Sequence, residues 1–143
     1  EGLLGSSGAR VILPITDPYV VHHGALGSFA TIHVPPGADI GALIGKLRAT
    51  PGVDRALSRA EACAEFELPP DRLGDIVVIS TRHKTLGTAA AKQDLSGLTE
   101  PLRSHGGLTE QRVPMISNRR IKLAPGHRLR TFDVFSVALN DTY

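Results

Sequence analysis

Apolar and polar positions along the chain divide it into short, well-punctuated elements. Arg10-Val11-Ile12-Leu13-Pro14 is an apolar run closed by proline, which predicts a buried strand. Asp17-Pro18 marks a turn, and Tyr19-Val20-Val21-His22-His23 is a short extended piece. In Ser28-Phe29-Ala30-Thr31-Ile32-His33-Val34 the residues alternate, so that Ala30, Ile32 and Val34 face a core and Phe29, Thr31 and His33 face the other way. Pro35-Pro36-Gly37 ends this second strand. Asp39 is placed to cap a helix running to about Ala49, with Ile40, Leu43, Ile44 and Leu47 on one stripe. Pro51-Gly52 stops the helix, and Val53 to Leu57 predicts a strand.

Ser58-Arg59-Ala60-Glu61 has capping-box spacing and opens a helix that reaches about Phe66, before Pro69-Pro70. Ile76-Val77-Val78-Ile79 is the strongest strand signal, a run of β-formers suited to burial on both faces. Residues 28–80 therefore predict a compact β-α-β-α-β unit, with right-handed crossovers wherever its strands pair in parallel. From Thr81 to Ser104 no periodicity holds. Val113-Pro114-Met115-Ile116 is a short apolar segment, Ser117 to Arg130 is polar and basic, and Phe132 to Leu139 predicts a C-terminal helix.

Composition narrows the class. With 143 residues, 41% hydrophobic and 21% charged, the chain is of ordinary globular type and long enough for a core. Trp is absent, so that core is built mostly from Val, Ile, Leu and Ala. No apolar run spans a bilayer and no signal peptide is visible. The single cysteine, Cys63, has no internal disulfide partner, which agrees with a reducing, cytoplasmic setting; its helical neighbours predict a buried small apolar residue. Residues 1–75 carry six basic and nine acidic side chains, and residues 76–143 carry ten and five. The basic half suits an anionic small molecule or a solvated surface. Nucleic-acid binding is not expected, because neither stacking aromatics nor a basic helix is present.

The histidines are His22, His23, His33, His83, His105 and His127, and their spacing forms no HxH, HExxH or CxxC pattern. His22 and His23 are consecutive on an extended piece and point to opposite faces, so structural hydrogen bonding is expected of them rather than joint chelation. Asp17 is a turn former. Arg82-His83-Lys84 follows a strand end, where α/β proteins often place functional groups. Ser104 and Thr109 have no recognisable base, Glu110 suits a helix start, and Arg119, Arg120 and Lys122 suit a solvated basic face.

The most informative segment is Ser104-His105-Gly106-Gly107-Leu108-Thr109-Glu110-Gln111-Arg112-Val113-Pro114-Met115-Ile116. It resembles the last conserved block of the alkaline phosphatase superfamily, where a histidine followed by glycine closes a two-metal site shortly before a Val-Pro-[apolar]-Ile run. Glycines after such a ligand let the backbone pass close to the metal. The apolar run is expected to be a rigid support for the imidazole. Ile15 to Ala30, Asp71 to Lys84 and Asp94-Leu95-Ser96-Gly97-Leu98 resemble, in the same order, the phosphonoacetate hydrolases of that superfamily.

That resemblance implies an α/β fold, namely the C-terminal part of an alkaline-phosphatase-like fold with a small inserted β-α-β-α-β unit. Residues 1–27 would join the catalytic core, 28–80 would form the cap-like insert, and 81–143 would return to the core with the metal-ligand loop and C-terminal helix. It implies a two-zinc enzyme that cleaves the carbon–phosphorus bond of phosphonoacetate, with His105 as a zinc ligand. In that family the threonine nucleophile, the metal-binding aspartates, the Asp-His-Gly block and the substrate-contacting lysines lie upstream of the matched region. The chain, which opens Glu1-Gly2-Leu3-Leu4, is thus expected to be a C-terminal portion without activity of its own. Apolar faces of Val11-Ile12-Leu13 or Ile76-Val77-Val78-Ile79 are then expected to be exposed. The expected partner is a small-molecule phosphonate, with no nucleic acid and no membrane, and a homodimer is left open. Alternative readings are a related phosphodiesterase of the superfamily and a non-catalytic small α/β binding module.

Overall fold

The computed structural model describes residues 4, 7–15, 26–87, 95–99, 102 and 104–143. The chain divides into two units, residues 1–111 and 112–143.

The first unit is built on strands β1 (Arg10–Ile12), β2 (Phe29–His33), β3 (Val53–Ser58) and β4 (Ile76–Ser80), with helices α1 (Ile40–Arg48) and α2 (Arg59–Phe66). The strand order is β1-β2-β4-β3, and every neighbouring pair is antiparallel. β2 and β3 are therefore parallel to each other but separated by β4. Ala30 pairs with Val78, and Val78 with Ala56, which sets the register across the centre.

Helices cover opposite faces of this sheet. Ala30, Ile32, Ala56, Ile76 and Val78 pack with Ile44 and Leu47 of α1. Val77, Ile79 and Leu57 pack with Ala62 of α2 and with Leu73. All of β4 is buried as a result. Complete burial of side chains such as Ile76 and Val77 favours folding by roughly 1.5–3 kcal/mol each. The expectation that Ile76–Ile79 would present an open apolar face is corrected here, because α1 and α2 cover it from within the same unit. Val11 and Ile12, expected in a buried strand, are half-buried, and among the described strands β1 lies at the edge of the sheet, paired with β2.

Local chemistry accounts for the helix ends. The Asp39 carboxylate accepts the Ala42 N–H at 2.9 Å, and Lys46 and Arg48 complement the dipole in the last turn of α1. At α2 the Ser58 hydroxyl accepts the Glu61 N–H at 3.3 Å, and the Glu61 carboxylate accepts the Ser58 N–H at 2.7 Å. α2 ends at Glu67, which adopts the left-handed conformation with φ of 55°. The Arg48 Nε donates to the Ala56 carbonyl at 2.9 Å and so occupies part of the outer edge of β3. Cys63 is half-buried against the α2-side cluster rather than fully buried.

The second unit contains α3 (Asp133–Asn140), with Val137 buried. Its C-terminus folds back: Ile121 bridges Thr142, the Lys122 N–H donates to the Asp141 carbonyl at 2.9 Å, and the Tyr143 N–H to Arg120 at 3.1 Å. Val113 to Ile116 has no regular structure, and Val113 and Ile116 are exposed. Among the described residues this run pairs with no strand. Among the described residues no helix is long and apolar enough to cross a membrane.

Candidate functional site

The loop bearing His105 is tied to the sheet through its backbone. The Ser28 N–H donates to the His105 carbonyl at 2.9 Å, and the Ser28 carbonyl accepts the Ser80 N–H at 2.9 Å. The loop thus hangs on the start of β2 and the end of β4. One residue earlier, the Ser104 hydroxyl donates to the Leu26 carbonyl at 2.7 Å. Ser104 therefore anchors the loop.

Gly106 follows in the positive-φ region at +92°, a conformation that favours a residue without a Cβ. A Cβ there would also strike the side chain of Ile15. The same Ile15 closes on Gly27, where a Cβ would lie 2.6 Å from its own. Ile15 is thus wedged between two glycines that are far apart in sequence. Gly107 then leads into a 3-10 turn over Leu108–Glu110. The Glu110 carboxylate accepts the Gly107 N–H at 3.2 Å and closes the turn, and Leu108 packs on the α2-side cluster.

This loop forms one wall of an open depression of about 430 Å³, lined also by Phe29, Phe66 and Ile79. The His105 side chain is exposed at its rim. No hydrogen bond to its imidazole nitrogens is made by the described residues, so a ring nitrogen is available as a donor to a metal. A zinc site needs three or four converging ligands. Among the described residues no group of three or more His, Cys, Asp or Glu side chains is placed to hold an ion. His105 fits the role of one ligand within a larger set.

The other candidates lie apart from it. His33 ends β2 exposed. Arg82, His83 and Lys84 form an exposed turn after β4, with His83 at a φ of 68°. Within this turn the Lys84 carbonyl is structural, accepting the Ser80 hydroxyl at 2.6 Å and the Ser28 hydroxyl at 3.4 Å. His127 is exposed in the second unit. His22, His23 and Asp17 lie outside the described residues. The seating role of Ser28 and Ile15 carries no local signal in the sequence, because their partners in the loop are about 80 to 90 positions away.

No family model matches the sequence. Solved structures match it well. The crystal structure of an enzyme from Sinorhizobium meliloti in complex with phosphonoacetate covers 98% of this chain at 58% identity, with a TM-score of 0.83. A second structure of that enzyme, in complex with phosphonoformate, covers 96% at 59% identity with the same TM-score. The enzyme is phosphonoacetate hydrolase. This chain corresponds to a portion of it, and spans 34% of the length of the phosphonoacetate hydrolase chain it matches. The mixed α/β fold, with its four-stranded antiparallel sheet, matches a portion of the phosphonoacetate hydrolase fold.

Proposed function

We infer that this chain supplies the His105 loop to the active site of a zinc-dependent, cytoplasmic phosphonoacetate hydrolase. The reaction is hydrolysis of the carbon–phosphorus bond, in which phosphonoacetate and water give acetate and phosphate. The observation that carries the reading is the 58% identity over 98% of this chain to an enzyme whose structure holds phosphonoacetate.

Two zinc ions, when bound, supply Lewis-acid stabilisation of charge on the phosphonyl oxygens. What this chain contributes is position. His105 must present a neutral imidazole, so its second ring nitrogen keeps its proton and needs an acceptor. The backbone links from Ser28 and Ser104 hold the loop at the sheet edge. Gly106 and Gly107 let the backbone after the imidazole pass close to Ile15 and Ser28. The remaining ligands and the nucleophile belong to the other part of the enzyme in this reading, and the isolated chain is inactive.

The test is His105→Ala in the full-length polypeptide. Loss of a ligand is expected to reduce zinc affinity by more than about tenfold, since even outer partners of a ligand are worth that much. Zinc content by metal analysis and phosphate release from phosphonoacetate should fall together. Wild-type zinc occupancy and turnover in the variant would refute the ligand assignment.

A further inference from the structure

Helix α3 is apolar around most of its circumference. Val134, Phe135, Val137, Ala138 and Leu139 leave Asp133, Ser136 and Asn140 as a narrow polar stripe. A helix with this pattern is suited to burial on more than one side. Here Val137 is buried at 2% exposure, yet Phe132, Phe135 and Leu139 are exposed at 64%, 74% and 83%. These three are spaced i, i+3 and i+7, so they line one face. In the same unit Ile116 is 90% exposed. Single exposed apolar residues need no explanation, but a continuous helical stripe does.

The length of polypeptide outside this chain indicates what covers the stripe. The matched hydrolase is about three times longer, so about two thirds of it has no counterpart here. We propose that the Phe132, Phe135 and Leu139 face of α3 docks onto an apolar surface of that remaining part of the hydrolase polypeptide. The proposal rests on the reading of this chain as part of a larger phosphonoacetate hydrolase. The face is then an internal packing layer of that larger polypeptide.

The experiment compares the 143-residue chain with the full-length polypeptide. Amide exchange over 133–140 should be at least about tenfold slower in the full-length protein, reflecting a shift from local to more global opening. Phe135→Ser with Leu139→Ser should leave the melting temperature of the 143-residue chain unchanged and lower that of the full-length protein by several degrees. Should that double variant fail to fold at full length, the exchange comparison on unsubstituted protein still decides. Equal exchange rates in the two proteins overturn the proposal. Equal thermal losses in both overturn it too, because the face is then covered within the chain. Sedimentation of the 143-residue chain reads a second copy as occupant: a dimer that the double substitution abolishes also overturns it. None of these readouts uses zinc or turnover, so failure of the catalytic reading is seen separately in the His105→Ala assay.

Discussion

Arg59 and Asp75 form an ion pair at 2.7 Å that joins the start of α2 to the residue before β4. The same Asp75 carboxylate accepts the Val34 N–H at 2.9 Å, just past β2, and the Asp75 carbonyl accepts the Arg59 N–H at 2.9 Å. One side chain thus links the ends of three elements that converge at one end of the sheet. The pair itself is partly exposed and contributes modestly. The Val34 bond is the larger stake, since its donor is part-buried.

Asp75→Ala is expected to destabilise the chain by about 1–3 kcal/mol, because it leaves the Val34 N–H without its acceptor. Asp75→Asn should lose less, since an amide oxygen still accepts that bond. Denaturant unfolding of the two variants checks the order, and an equal loss would show that charge rather than the Val34 bond is at stake.

Gly74 is pressed against β2. A Cβ there would lie 2.5 Å from both the Thr31 hydroxyl oxygen and the Ile32 carbonyl oxygen. Its N–H donates to the Thr31 hydroxyl at 2.6 Å. Gly74→Ala should cost at least about 1–3 kcal/mol through overpacking. Thr31→Val should cost about 1–3 kcal/mol for a different reason, the loss of a buried acceptor. A melting temperature unchanged in Gly74→Ala would contradict this packing.

Glu61 has its carboxyl held below the usual carboxylate range. The Ser58 backbone N–H is the first cause and the Ser58 hydroxyl the second; desolvation opposes them, and the nearby Arg48 guanidinium adds a lesser lowering effect. A lowered folded-state value means that this contribution is fully present above the unfolded carboxylate range. It is lost as the pH falls through the folded value. Titration of Glu61 followed by NMR should show Ser58→Ala raising its midpoint, and α2 should lose protection first at acid pH.

Gly106 combines a φ of +92° with the close approach of Ile15. Gly106→Ala should destabilise the loop by more than about 1 kcal/mol. In the full-length polypeptide it should weaken zinc binding without removing any ligand. Smaller loss of zinc than in His105→Ala, with faster amide exchange around His105, is the expected result. Zinc affinity equal to the unsubstituted protein would separate the glycine from the site.

What the amino-acid order determined by itself was local. The Asp39 cap, the Ser58–Glu61 box and the periodic stripe of α1 rest on contacts three or four residues apart. Burial of Ile76–Ile79 on both faces was legible because every residue of that run is apolar. The likeness of this chain to phosphonoacetate hydrolase was legible as a sequence resemblance, and the 58% identity agrees with it.

Tertiary structure alone decided the rest. Nothing local says that β4 inserts between β2 and β3, because strand order is a matter of long-range pairing. Exposure of Val113 and Ile116 was equally hidden, since an apolar run becomes a support only when a partner surface meets it. The seat of His105 depends on Ser28 and Ile15, whose distance along the chain exceeds the reach of any periodicity. Periodicity reports which face of an element is apolar; it carries no record of which distant surface that face will meet.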